Sequence, residues 1–138
     1  MERPILTAYP VDSAPAMLRV IAMFVMCDGD AADLEIEPLE NLGIFGMLDA
    51  NAELFATVLD TYCDDLIAHA GASRRVALVD TAWVDAVLEP IQEPERRRLL
   101  TQILLVLARA DGQFGDIELA VVRRVLGRWD IELDSLAA

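Results

Sequence analysis

Apolar side chains recur along the chain at the three-to-four-residue spacing of helices, and prolines, glycines and capping residues punctuate the runs. An arm over residues 1–15, broken by Pro4, Pro10 and Pro15, leads into a first helix at about 14–28, with Ser13 placed to cap it. That helix is apolar nearly all round, which predicts deep burial. A second segment, about 34–48, carries Pro38, Gly43 and Gly46 and is read either as kinked or as starting only at Pro38. Asn51 then caps a third helix with Leu54, Phe55, Val58, Leu59, Tyr62 and Leu66 on one stripe and a stop at Gly71. Its opposite face carries Glu53, Asp60, Asp64 and Asp65, which predicts solvation.

Beyond Gly71, Val76, Val79, Trp83, Val84, Val87 and Leu88 repeat helically, and Ser73 or Asp80 caps them as one helix or two short ones. The clearest break is Glu89 to Pro94, after which Pro94 occupies the first turn of the next helix. The run Arg96-Arg97-Arg98 that follows is read as a solvated face pairing with the surplus acid, with docking onto an acidic partner as the alternative. A last helix over about 116–126 is expected to stop at Gly127, with Trp129, Ile131 and Leu133 folding back and Asp134 to Ala138 fraying. Residues 16–138 therefore form a single all-α domain. The helices Met17 to Cys27 and Leu100 to Ala110 are expected to meet at its centre as the most buried pair.

Composition agrees with helices. The chain has 138 residues, enough for one core without disulfide or metal staples, and is 55% hydrophobic with only 6% aromatic, a mix that suits helices better than sheets. Its 11 basic against 24 acidic residues give a net charge of −13, which disfavours nucleic acid and anionic lipid and favours cations or basic protein patches. No apolar run approaches a membrane span, since the run Met17 to Cys27 is short and contains Arg19; neither is there a secretory signal, so a cytoplasmic location is expected. Cys27 and Cys63 form no CxxC pair, and Cys63 and His69 point to different faces of one helix, so both cysteines read as small core residues.

The chemistry lies in a repeat. Asp28-Gly29-Asp30-Ala31-Ala32-Asp33-Leu34-Glu35 and Asp111-Gly112-Gln113-Phe114-Gly115-Asp116-Ile117-Glu118 share the skeleton Asp-Gly-x-x-x-Asp-x-Glu. Each copy lies between two apolar helical runs, at the corner of an αα-hairpin. A gapless alignment of Met17 to Phe45 on Leu100 to Arg128 gives identities only at Asp28, Gly29, Asp33 and Glu35 and their counterparts. The flanks need any hydrophobe of suitable size, whereas the corners need particular groups. Gly29 and Gly112 stop a helix; Asp33, Glu35, Asp116 and Glu118 open the next one, where the dipole favours carboxylates. Asp28 and Asp111 face the negative end of a dipole instead, so the following helix's N–H groups, a nearby arginine or a bound cation must compensate them.

An apolar helix, Asp-Gly, a short gap and a glutamate opening a helix resemble the tellurite-resistance TerB-like family. Ala108 to Phe114, Glu118 and Val125-Leu126-Gly127-Arg128 carry the better match, and the first copy is more degenerate. The resemblance spans about residues 16–133. It implies a compact bundle of about seven helices with two pseudo-twofold-related hairpins, in a bacterial family linked to tellurite and other chemical stress and thought to bind metal through acidic residues. A related module sits beside the J-domain of some membrane-anchored DnaJ-type co-chaperones.

Catalysis is not expected, because the one histidine has no neighbouring nucleophile in sequence and no phosphate-binding or nucleophile-elbow motif occurs. An EF-hand is excluded, since Asp33, Asp116, Leu39 and Val122 stand where its glycine and glutamate belong. Two readings remain. In the first, Asp28, Asp33, Glu35, Asp111, Asp116 and Glu118 hold a divalent cation, Ca²⁺, Mg²⁺ or Mn²⁺ being the metals an all-carboxylate set suits, with no organic cofactor. In the second, the chain is a scaffold or adaptor for an unidentified protein partner and the corner acids merely cap helices.

Overall fold

The first apolar run is the helix on which the others pack. The structure, a computed structural model, describes residues 6–26, 40–41, 43–70, 81–110 and 116–132, except for the side chains of 26, 69, 70, 81, 109, 110 and 116–118. Its helices are α1 Ala14–Met26, α2 Ile44–Met47, α3 Ala52–Ala70, α4 Thr81–Leu88, α5 Pro94–Ala110 and α6 Asp116–Trp129. No strand occurs among the described residues, so the all-α class holds, with six named helices described against about seven expected.

Every residue from Ala16 to Phe24 is buried, as an all-round apolar helix requires. Helix α1 packs against α3, α4 and α5, and α6 closes the bundle against α4 and α5. The expected α1–α5 contact exists, but the broadest face of α1 meets α3. Helix α3 supplies that face with Phe55, Val58, Tyr62 and Leu66 at helical spacing, all buried.

Local capping chemistry sets several boundaries. The Ser13 hydroxyl accepts the Ala16 N–H at 3.3 Å at the start of α1, and Asn51 Oδ1 accepts the Leu54 N–H at 2.7 Å at the start of α3. Pro94 opens α5 as expected. The segment expected over about 34–48 is interrupted: residues 40–41 are helical, Gly43 takes φ 73°, and only the short α2 follows. Residues 34–39 lie outside the described residues, as do Gly71, Ser73, Val76, Val79, Asp80, Cys27 and the His69 side chain.

The last helix corrects another expectation, because α6 runs through Gly127 to Trp129. Asp130 adopts φ 52°, and the Ile131 N–H reaches back to the Leu126 carbonyl at 2.9 Å. This is the Schellman arrangement, with aspartate in the left-handed position usually given to glycine. The end of α2 repeats it, with Asp49 at φ 54° and the Ala50 N–H on the Phe45 carbonyl at 2.8 Å.

Two aromatic pairs tie the layers together. Phe45 of α2 meets Phe55 of α3 with centroids 5.3 Å apart, and Tyr62 of α3 meets Trp83 of α4 at 5.8 Å. The Trp83 indole N–H also donates to the Tyr62 hydroxyl at 3.1 Å inside the core. The arginine run is half-buried, and Arg96 pairs with acid as expected. Arg96 pairs with Glu93 at 3.1 Å, and Arg97 donates to the Ile91 carbonyl at 2.8 Å with its guanidinium over the Trp129 ring. Their apolar stems lie along the bundle while the charged heads find local acceptors.

Candidate functional site

Of the acidic corner residues, Asp28, Asp33, Glu35 and Asp111 lie outside the described residues. Asp116 is the first residue of α6 and Glu118 belongs to its first turn; their side chains lie outside the description too. What the structure fixes is the frame of the second corner, between the end of α5 at Ala110 and the start of α6 at Asp116. Among the described residues no group of three or more histidine, cysteine, aspartate or glutamate side chains could hold a metal ion.

A different feature is described in full. The arm, residues 6–13, crosses the bundle, turns at Val11 and Asp12, where Asp12 takes φ 59°, and is fastened at both ends. At one end the Thr7 N–H and hydroxyl donate to the two oxygens of Asp65, at 2.9 and 3.2 Å, and the Thr7 carbonyl accepts from Arg19 NH1 at 2.5 Å. At the other, the Asp12 N–H donates to the Pro90 carbonyl at 3.0 Å, and Asp12 Oδ1 accepts the N–H groups of Gln92 and Glu93 at 2.7 and 3.1 Å. Between these ties the arm roofs a cavity of about 680 Å³ over the exposed side of α4, reaching Arg128 near the end of α6. Its size is that of a small-molecule site.

The side chains of the cavity are unequal in charge. Asp85 is matched by a bidentate pair with Arg124, 2.9 Å from Nε to Oδ1 and 2.5 Å from NH2 to Oδ2, and that hydrogen-bonded pairing raises the Arg124 pKa. Arg19 is only 2% exposed, and its guanidinium lies 4.7 Å from the centre of the Tyr9 ring. Its Nε–H has no hydrogen-bond partner, and no described carboxylate comes within ion-pair distance of it. Burial pushes its pKa down, against the upward pull of Tyr9, Asp65 and Tyr62.

Sequence reasoning missed this site. Arg19 counted there only as a charge interrupting an apolar run, and Asp65 only as part of a solvated face. The usable signal was a single guanidinium on a helix otherwise apolar on every side, a placement that demands a partner. The partners come from the arm and from α3, and spacing within α1 does not reveal them.

A protein-family model described as "Tellurite resistance protein TerB" matches residues 14–134. No curated protein and no solved structure matches the chain. The family match begins at the first residue of α1 and extends past the end of α6, and on that extent the chain belongs to the TerB family.

Proposed function

We propose that this chain is a non-enzymatic, cytoplasmic member of its family that acts in the response to tellurite or related chemical stress and holds a divalent cation at its acidic corners. The observation that carries the reading is the repeated corner itself: Asp28, Asp33 and Glu35 recur as Asp111, Asp116 and Glu118 while the flanking helices keep only their apolar character. The frame of the second corner supports it. Asp111 follows Ala110, the last described residue of α5, and by that place in the sequence is set against the negative end of a dipole, whereas Asp116 and Glu118 begin α6 at its favourable positive end. Asp111 is therefore the carboxylate that gains most from a cation. The donor set is entirely carboxylate, which fits Ca²⁺, Mg²⁺ or Mn²⁺ and not direct capture of a soft tellurium species.

Calorimetric titration with Ca²⁺, Mg²⁺, Mn²⁺ and Zn²⁺ tests this reading. Saturable binding of a hard cation is expected, with a stability gain of about 2.7 kcal/mol at a hundredfold excess over Kd. Asp111→Asn should abolish that gain, and Glu118→Gln should reduce it less. No heat at millimolar cation, or an unchanged response in Asp111→Asn, transfers the function to the second reading, a scaffold for a protein partner.

A further inference from the structure

We propose that the cavity beneath the arm binds a small organic molecule carrying one carboxylate on an apolar body, with Arg19 as the anion-binding residue. Three observations on the molecule converge. The cavity, about 680 Å³, has the volume of a small-ligand site, and Leu6, Val11, Ala82, Ala86 and Pro90 give it apolar walls. Arg19 forms part of its lining and is almost wholly buried with an unpartnered Nε–H. Of the acids around it, Asp85 on the same lining is already paired with Arg124, and Asp65 attracts Arg19 but spends both its oxygens on Thr7 and forms no ion pair with it.

A tether for the arm does not account for such a residue. Holding the Thr7 carbonyl needs one donor, and a guanidinium brings five N–H groups and a full charge into a place where Asp65 attracts it without a direct ion pair. A carboxylate fits the planar guanidinium edge in the way Asp85 fits Arg124. The same surroundings limit the ligand to one negative charge. Glu89 also lines the cavity, and the chain as a whole carries −13, so a dianion such as phosphate meets repulsion that a monoanion escapes more readily. Arg128, exposed on the lining, offers a weaker second cation.

Because the Arg19 Nε–H is covered, an entering carboxylate displaces a group of the arm, either the Thr7 carbonyl or the Tyr9 ring. Binding thereby loosens or reseats the arm, and the Thr7 amide, held by Asp65, reports it. The site is distinct from the second acidic corner. Arg128 lies near the C-terminal end of α6 and Asp116 at its start, which separates them by about 18 Å along the helix.

The test is amide NMR of the whole chain titrated with 3-phenylpropanoate and, separately, with its neutral amide. The acid should shift the Thr7, Tyr9, Val11 and Ala86 signals saturably and bind about tenfold or more tightly than the amide. Arg19→Met, which keeps length and apolar volume, should lose that preference, and Arg128→Gln should weaken acid binding by a smaller factor. No saturable shift by about 10 mM overturns the proposal, as does equal binding of acid and amide or an unchanged preference in folded Arg19→Met. Should Arg19→Met fail to fold, the acid–amide comparison in the unaltered protein decides alone. Metal titration at the corners has a separate readout, so failure of either idea leaves the other standing.

Discussion

Asp12 Oδ1 accepts the Gln92 N–H at 2.7 Å, so a residue of the arm caps, 80 positions further along the chain, the lead-in to the helix that begins at Pro94. The Glu93 N–H joins it at 3.1 Å. Pro94 leaves no N–H of its own at the first position of α5, and the Asp12 charge also meets the positive end of that helix.

Asp12→Ala should lower stability by about 0.5–1 kcal/mol, the lower half of the range for lost caps because the site is open to water. The effect should depend on pH. Burial pushes the Asp12 carboxyl up slightly, but hydrogen bonds from Glu93 and Gln92 and the charges of Arg96 and Arg97 hold it below 3.8. A depressed folded pKa gives stability that is present above the unfolded value and lost as pH falls through the folded one. Urea unfolding should therefore separate Asp12→Asn from the unaltered protein at neutral pH, and the two curves should converge below pH 3.8.

Gly127 lies inside α6 without a positive φ, and a Cβ added there meets nothing within 4 Å. Gly127→Ala should then stabilise the protein by about 0.4–1 kcal/mol through the entropy of the unfolded chain. Thermal unfolding measures it. A loss of stability would show that the glycine has a conformational role.

Ile21 and Leu104, on α1 and α5, are 0% and 1% exposed. Truncating either to alanine should cost about 2–5 kcal/mol, read as a lower urea midpoint. A cost under about 1 kcal/mol at both sites would remove α1 and α5 from the centre of the core.

The Tyr62 hydroxyl accepts the buried Trp83 indole N–H at 3.1 Å. Tyr62→Phe should cost about 0.5–1.5 kcal/mol and alter the tryptophan emission of the native state. An unchanged spectrum at unchanged stability would mean that the bond contributes nothing.

What could be read from the sequence was what is decided locally. Ser13, Asn51 and Pro94 act within a turn of themselves, and each begins its helix where spacing alone put it. Gly127 failed as a stop because glycine is tolerated within a helix and here costs only propensity. The real stop, Asp130, was hidden because aspartate enters the left-handed region less often than glycine and so carries a weaker signal. The Arg19–Thr7–Asp65 connection could not be read at all, since it joins the arm, α1 and α3 through groups that look ordinary in their own segments. The acidic corners are the reverse case: their chemistry is legible as a repeat, while their side-chain geometry lies outside the described residues.

The sealing of α1 sets how the molecule opens. Every residue from Ala16 to Phe24 is at most 3% exposed, and partners cover the helix from several sides, so no local fraying exposes its backbone. Its amides should exchange with solvent deuterium only through global unfolding, at the slowest rates in the chain, whereas arm amides should exchange through release of a few hydrogen bonds. The protein thus holds a fast clock and a slow one side by side, with Arg19 on the slow helix holding the fast strap.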